Sequence, residues 1–153
     1  MRVILKTYVE ESPEKVFEGF TRELFIKLKP PGVGLKLLQF DGCQKGSVVA
    51  LELNFGLFKQ RWTSLVTEFG KSEDEIFFVD ESEGKDLPFF LKKWKHRHRL
   101  VKEGNGTFII DEIDYQSPFG MNLLMYPALW MQFAWRKPIY RKSFRRKREK
   151  QRV

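Results

Sequence analysis

Between Leu123 and Phe144 the chain carries a pattern that demands a partner surface. Leu123, Tyr126, Trp130, Phe133, Tyr140 and Phe144 recur at steps of three and four, with Lys137 alone interrupting the series. That spacing places them on one face of a helix. Such an aromatic face must be covered, and the remainder of the chain reads as strands able to cover it. Pro127 fits the first turn, where a missing N–H costs little. Pro138 removes the bond to the Ala134 carbonyl, so a kink or break is expected there. A membrane span is the competing reading, because Gln116 to Trp135 carries no charge and Arg136 and Lys137 follow at once. Gln116, Ser117, Pro118, Gly120, Asn122, Pro127 and Gln132 deny it the ~20 predominantly apolar residues that a span needs. A core helix and no membrane span are expected.

What could cover that helix is bounded by the rest of the composition. A chain of 153 residues suits one domain with one core. Aromatics make up 15% of it, fifteen of them Phe, so the core should be large and need not be completely filled. Cys43 is the sole cysteine, which rules out an intramolecular disulfide and suits a reducing cytoplasm. Lys6, Glu10 and Glu11 leave no apolar segment of signal-peptide type after Met1. The formal charge of +8 is not spread evenly. Residues 136–153 hold ten Lys or Arg against Glu149, giving +9, so the body of the chain carries −1. Basicity belongs to the end, where it suits a solvated helix C-terminus. The same tail, Arg145 to Arg152, is the one segment suited to nucleic acid or an anionic surface.

Taken in order, Val3 to Val9 alternates and reads as a strand. Ser12-Pro13-Glu14 makes a helix start, with Ser12 as N-cap and Pro13 in the first position. A second short helix around Leu24 to Leu28 stops before Pro30-Pro31-Gly32. Strands follow at Leu35–Phe40, Ser47–Asn54, Gln60–Glu68 and Ile76–Asp80, with Gly70 to Asp74 as a polar connection and Ser82 to Pro88 as a loop. Val49, Leu51 and Leu53 share one face, as do Trp62, Ser64 and Val66.

Phe89–Val101 and Thr107–Tyr115 form the clearest hairpin, joined by Glu103-Gly104-Asn105-Gly106. Trp94, His96, His98 and Leu100 share one side, and Lys93, Lys95, Arg97 and Arg99 share the other. With Gly104-Asn105 as the two-residue loop, His98 sits opposite Asp111 and His96 opposite Ile113. With Asn105-Gly106 as a type I′ turn, Ile113 faces His98 and Tyr115 faces His96. Either register keeps both histidines, Asp111 and Tyr115 on one face.

The whole order is one strand, two short helices, six strands and a long last helix. It resembles the helix-grip fold of the START-like superfamily, often labelled SRPBCC (polyketide cyclase/dehydrase and lipid-transport proteins). The residues that carry the resemblance are Ser12-Pro13-x-x-Val16-Phe17, Trp62-x-Ser64-x-Val66-Thr67, Phe78-x-Asp80 and Trp94-x-His96-x-His98. To these add Thr107-x-x-x-Asp111-x-Ile113-x-Tyr115-x-x-Pro118 and the helix containing Arg136. The resemblance implies an α+β domain over residues 1–144. In it a curved antiparallel sheet of about seven strands wraps around the C-terminal helix, with two short helices after the first strand and a hydrophobic cavity between sheet and helix. Residues 145–153 form a basic extension outside it, and Pro138 departs from its pattern.

A small or medium hydrophobic molecule, lipid-like or polyketide-like, is the partner this implies. Trp62, Trp94, His96, His98, Asp111, Tyr115, Trp130 and Phe133 are the candidate lining. His96 and His98 are the only histidines, so imidazole chemistry must use them. Three roles are open: a buried His–Asp–Tyr hydrogen-bond network, a general acid/base site of cyclase or dehydratase type using His96, His98, Asp111 and Tyr115, or a metal site. No third or fourth ligand is evident by spacing, so the expectation is no metal. No phosphate loop, Gly-x-Ser-x-Gly elbow or zinc-protease pattern is present, so no cofactor is expected either. Cys43 has no partner to make it a nucleophile. The chain reads as a binding protein before an enzyme.

Overall fold

The structure is a computed structural model that describes residues 1–146. Strand β1 (Arg2–Val9) is followed by two short helices, α1 (Pro13–Glu18) and α2 (Arg22–Lys27). Both helices start on the side chain of their N-cap residue: Ser12 Oγ accepts from the Lys15 N–H and Thr21 Oγ1 from the Leu24 N–H. Six strands follow: β2 (Gly34–Phe40), β3 (Val48–Asn54), β4 (Lys59–Lys71), β5 (Glu75–Glu83), β6 (Lys93–Glu103) and β7 (Gly106–Gln116). Helix α3 (Asn122–Ser143) closes the fold. No helix among the described residues is long and apolar enough to cross a membrane.

All seven strands form one antiparallel sheet in the order β1-β7-β6-β5-β4-β3-β2. Register shifts between Leu37 and Gln39 and between Val66 and Glu68 supply bulges, which bend and twist a sheet locally. Charged side chains line its outer face, where Arg99 bridges Glu75 and Glu112. The inner face receives α3, which packs against β1 and β7. Two apolar clusters sit under the helix, one around Val3, Leu5, Trp94, Ile113 and Phe133, the other around Val9, Val16, Leu100 and Tyr140. A third, around Leu37, Leu51 and Leu53, lies on the β2–β4 side.

Several sequence-based expectations need correction. The buried face of α3 is Leu129, Phe133 and Tyr140, continued by Phe144, whereas Leu123 is 75% exposed and Trp130 45%. At about 100° per residue, Leu123 and Trp130 lie roughly 80–100° from the centre of that arc, because alternating steps of three and four average about 3.5 residues and drift off the roughly 3.6-residue turn. The helix begins at Asn122, which puts Pro127 in its second turn, and it runs through Pro138 to Ser143 without a break. Strand β4 continues to Lys71, confining the turn to residues 72–74, and β6 starts only at Lys93, so Phe89 to Lys92 is loop. Residues 147–153, most of the basic extension, lie outside the described residues.

Candidate functional site

Because α3 leans on β1 and β7, it leaves space on the β2–β4 side of the sheet. That space is a cavity of about 610 Å³. Leu51, Leu53, Trp62 and Val66 wall it on the sheet, Met125, Leu129 and Phe133 on α3, and Leu24, Leu28 and Pro31 on α2 and the segment after it. The lining is mostly apolar. Alternation explains it, since residues 49, 51 and 53 of β3 and 62, 64 and 66 of β4 all face inward. Trp62 and Trp94 meet edge to face at 4.7 Å between centroids, and the Trp62 indole N–H donates to Ser64 Oγ at 3.2 Å.

One wall is polar. The hairpin takes the register with Gly104-Asn105 as its loop, so His98 pairs with Asp111 and His96 with Ile113. The side-chain bonds cross this register. His96 Nε2 donates to Asp111 Oδ1 at 2.8 Å, and His98 Nε2 donates to Asp80 Oδ1 at 3.0 Å. The remaining ring nitrogens face the other carboxylate at longer range: His96 Nδ1 lies 3.7 Å from Asp80 Oδ1, and His98 Nδ1 lies 3.7 Å from Asp111 Oδ1. The two imidazoles lie with centroids 3.6 Å apart and their planes tilted by 33°, and His98 stacks on Phe78 at 4.2 Å. Asp80, His96 and His98 face the cavity, while Asp111 sits behind them at 2% exposure.

Burial and charge set the protonation of this cluster. Burial opposes ionisation of Asp80, but the hydrogen bond from His98 and the neighbouring imidazoles hold its carboxyl below the usual range. Asp111 is held low in the same way by His96, His98 and Arg136. Burial and the adjacent His98 push His96 down to about 4, against the pull of the two carboxylates. Arg136 reaches the cavity from α3 with its guanidinium 4.1 Å above the Phe133 ring. Cys43 also lines the cavity, but burial pushes its thiol up to about 12, which leaves it inert as a nucleophile.

Of the residues singled out from the sequence, the cavity brings together Trp62, Trp94, His96, His98 and Phe133, with Asp111 directly behind. Trp130 is not among the lining residues. Tyr115 belongs to neither the cavity nor the histidine cluster: its hydroxyl donates to the Asn122 carbonyl at 2.6 Å and ties β7 to the start of α3. The expected His–Asp–Tyr network is instead a network of two histidines and two aspartates. Asp80 was missed as its member, although one signal was readable. It follows Ile76 and Phe78 on the alternating inward face of β5, an acid where an apolar residue belongs. Gln132 and Arg136 line the cavity from the flank of α3 that lies away from the aromatic stripe, so a reading that turns the stripe inward leaves them out.

No protein-family model and no curated protein sequence matches the chain. Solved structures do. A protein from Mycobacterium smegmatis superposes with a TM-score of 0.69 at 11% identity, covering 97% of this chain and 93% of its own. Ginseng major latex-like protein 151 from Panax ginseng gives 0.56 at 18% identity over 88% and 92%. A norcoclaurine synthase point mutant from Thalictrum, in complex with a transition-state analogue, gives 0.61 at 13% identity over 92% and 93%. At these identities the likeness is one of fold.

Proposed function

With the helix-grip fold as premise, we propose that this protein binds a small or medium hydrophobic molecule in the cavity between β3, β4 and α3. The observation that carries the reading is the cavity itself, about 610 Å³ with a mostly apolar lining. Its size falls inside the ~300–1,000 Å³ of ordinary small-molecule sites. A ligand burying ~300 Å² of apolar surface there gains ~7 kcal/mol before the costs of association. The aromatic walls supply contact area, and the polar wall of Asp80, His96 and His98 orients whichever polar group the ligand carries.

The test is a titration with 1-naphthol and with dodecanol, read by calorimetry and by melting temperature, beside native mass spectrometry of freshly purified protein. A ligand that binds only the folded state raises the melting temperature by mass action. Leu53→Trp fills the cavity from the wall opposite α3 and should abolish the shift while leaving a cooperative transition. Binding that persists unchanged in a folded Leu53→Trp protein would place the site elsewhere and refute the reading.

A further inference from the structure

The geometry points to a metal site on the polar wall, in which Asp80, His96 and His98 ligate one divalent transition-metal ion of the Zn²⁺ class with Asp111 as their common hydrogen-bond acceptor. The argument begins from donors and acceptors. An ionised carboxylate only accepts, so in the two short bonds the protons sit on His96 Nε2 and His98 Nε2. A neutral imidazole then presents a lone pair at Nδ1. His96 Nδ1 therefore faces Asp80 Oδ1 acceptor to acceptor at 3.7 Å. His98 Nδ1 faces Asp111 Oδ1 in the same way at 3.7 Å, and it is buried without a hydrogen-bond partner. Two carboxylates and two unprotonated nitrogens converge in one cluster, and Arg136 contributes a compensating positive charge at Asp111.

A divalent cation resolves both mismatches at once. One ligand atom each from Asp80, His96 and His98 already lie within 4.8 Å of one another, with His98 Nε2 at 3.0 Å and His96 Nδ1 at 3.7 Å from Asp80 Oδ1. Tetrahedral bonds of ~2.0–2.2 Å put ligand atoms roughly 3.3–3.6 Å apart, so the 3.0 Å spacing opens and the 3.7 Å spacing closes by a few tenths of an ångström. As His98 Nε2 takes the ion, its proton moves to Nδ1, the atom that now has no partner, and Asp111 becomes its acceptor. His96 already donates Nε2–H to that same carboxylate. Asp111 thus orients both imidazoles, the arrangement by which buried carboxylates commonly hold metal-bound histidines. Two imidazoles and a carboxylate favour Zn²⁺ and its transition-metal neighbours over Mg²⁺ or Ca²⁺. The three ligands face the cavity, so the fourth position opens towards whatever occupies it.

The experiment uses the full chain without a histidine tag, freed of metal by chelator and titrated with Zn²⁺ alone, so it does not depend on any organic ligand. The expected result is one Zn²⁺ per chain and a raised melting temperature. His98→Gln and Asp80→Asn should bind at least ~100-fold more weakly, and Asp111→Asn about 10–100-fold more weakly. Since the chain has only two histidines, their ring ¹⁵N resonances give a readout that needs no variant. Zn²⁺ must shift His96 Nδ1 and His98 Nε2 together. Imidazole resonances that stay unmoved at saturating Zn²⁺, or stoichiometric binding retained by folded His98→Gln and Asp80→Asn proteins, overturn the proposal.

Discussion

At the scale of single residues, the burial of His96 ties stability to pH. In the unfolded chain its imidazole takes a proton at its ordinary 6.5, but in the fold burial delays protonation to about 4. Between these values the unfolded state binds the extra proton, so stability must fall as pH falls, at up to about 1.4 kcal/mol per pH unit. Asp80 and Asp111 act in the same direction at lower pH. Their carboxyls are held below the ordinary 3.8, so their contribution is complete above that value and is lost as pH drops through their folded pKa. In chelator, denaturation measured from pH 7 to 4 should show this slope, and His96→Gln should flatten it. An unchanged slope in the variant would remove His96 from the account. His98→Ala leaves the largely buried Asp80 without its 3.0 Å donor, a loss of about 1–2 kcal/mol. His98→Gln should lose less, since an amide still donates.

Among the elements, α3 carries the strongest consequence, because its two faces have been told apart. Phe133 is buried and stacks with Trp94 at 6.1 Å between centroids, while His96 meets it edge-on at 5.1 Å. Phe133→Ala should destabilise by about 3–5 kcal/mol. Leu123→Ala, at 75% exposure, should stay within about 0.5 kcal/mol. Equal losses at both sites in urea denaturation would restore the stripe drawn from the sequence and displace the face drawn from packing. The same element shows how far periodicity reaches. Steps of three and four announce a helix, but a face about 100° wide is missed when small errors of phase accumulate over six turns.

For the whole molecule, the distribution of charge separates body from tail. The basic run from Arg136 onward gives the chain its +8, and its last seven residues lie beyond the described domain. Inside the domain, Arg146 donates to the Asn105 carbonyl at 3.2 Å, an exposed contact at the hairpin tip. Removing residues 147–153 should leave the melting temperature and the response to 1-naphthol unchanged. Binding to RNA or anionic vesicles that weakens steeply with salt and vanishes on this deletion would make the tail a functional element in its own right.

Local chemistry was enough to determine the order of elements, because caps, prolines and alternation act between near neighbours. Ser12-Pro13 starts α1, Pro30-Pro31 ends the second helical segment, and the period of two in β6 puts Trp94, His96 and His98 on one buried face. The sequence also narrowed the hairpin to two registers, since its loop contains only a few residues. Tertiary structure decided which carboxylate each histidine takes. Asp80 reaches His98 only because β5 and β6 pair with Asp80 opposite His96, a register spanning a loop whose length the residues do not dictate. It also decided the phase of α3 and the cavity beside it. A void is the distance between surfaces that are far apart in sequence, and it exists because α3 settles on β1 and β7 and leaves β3 and β4 uncovered.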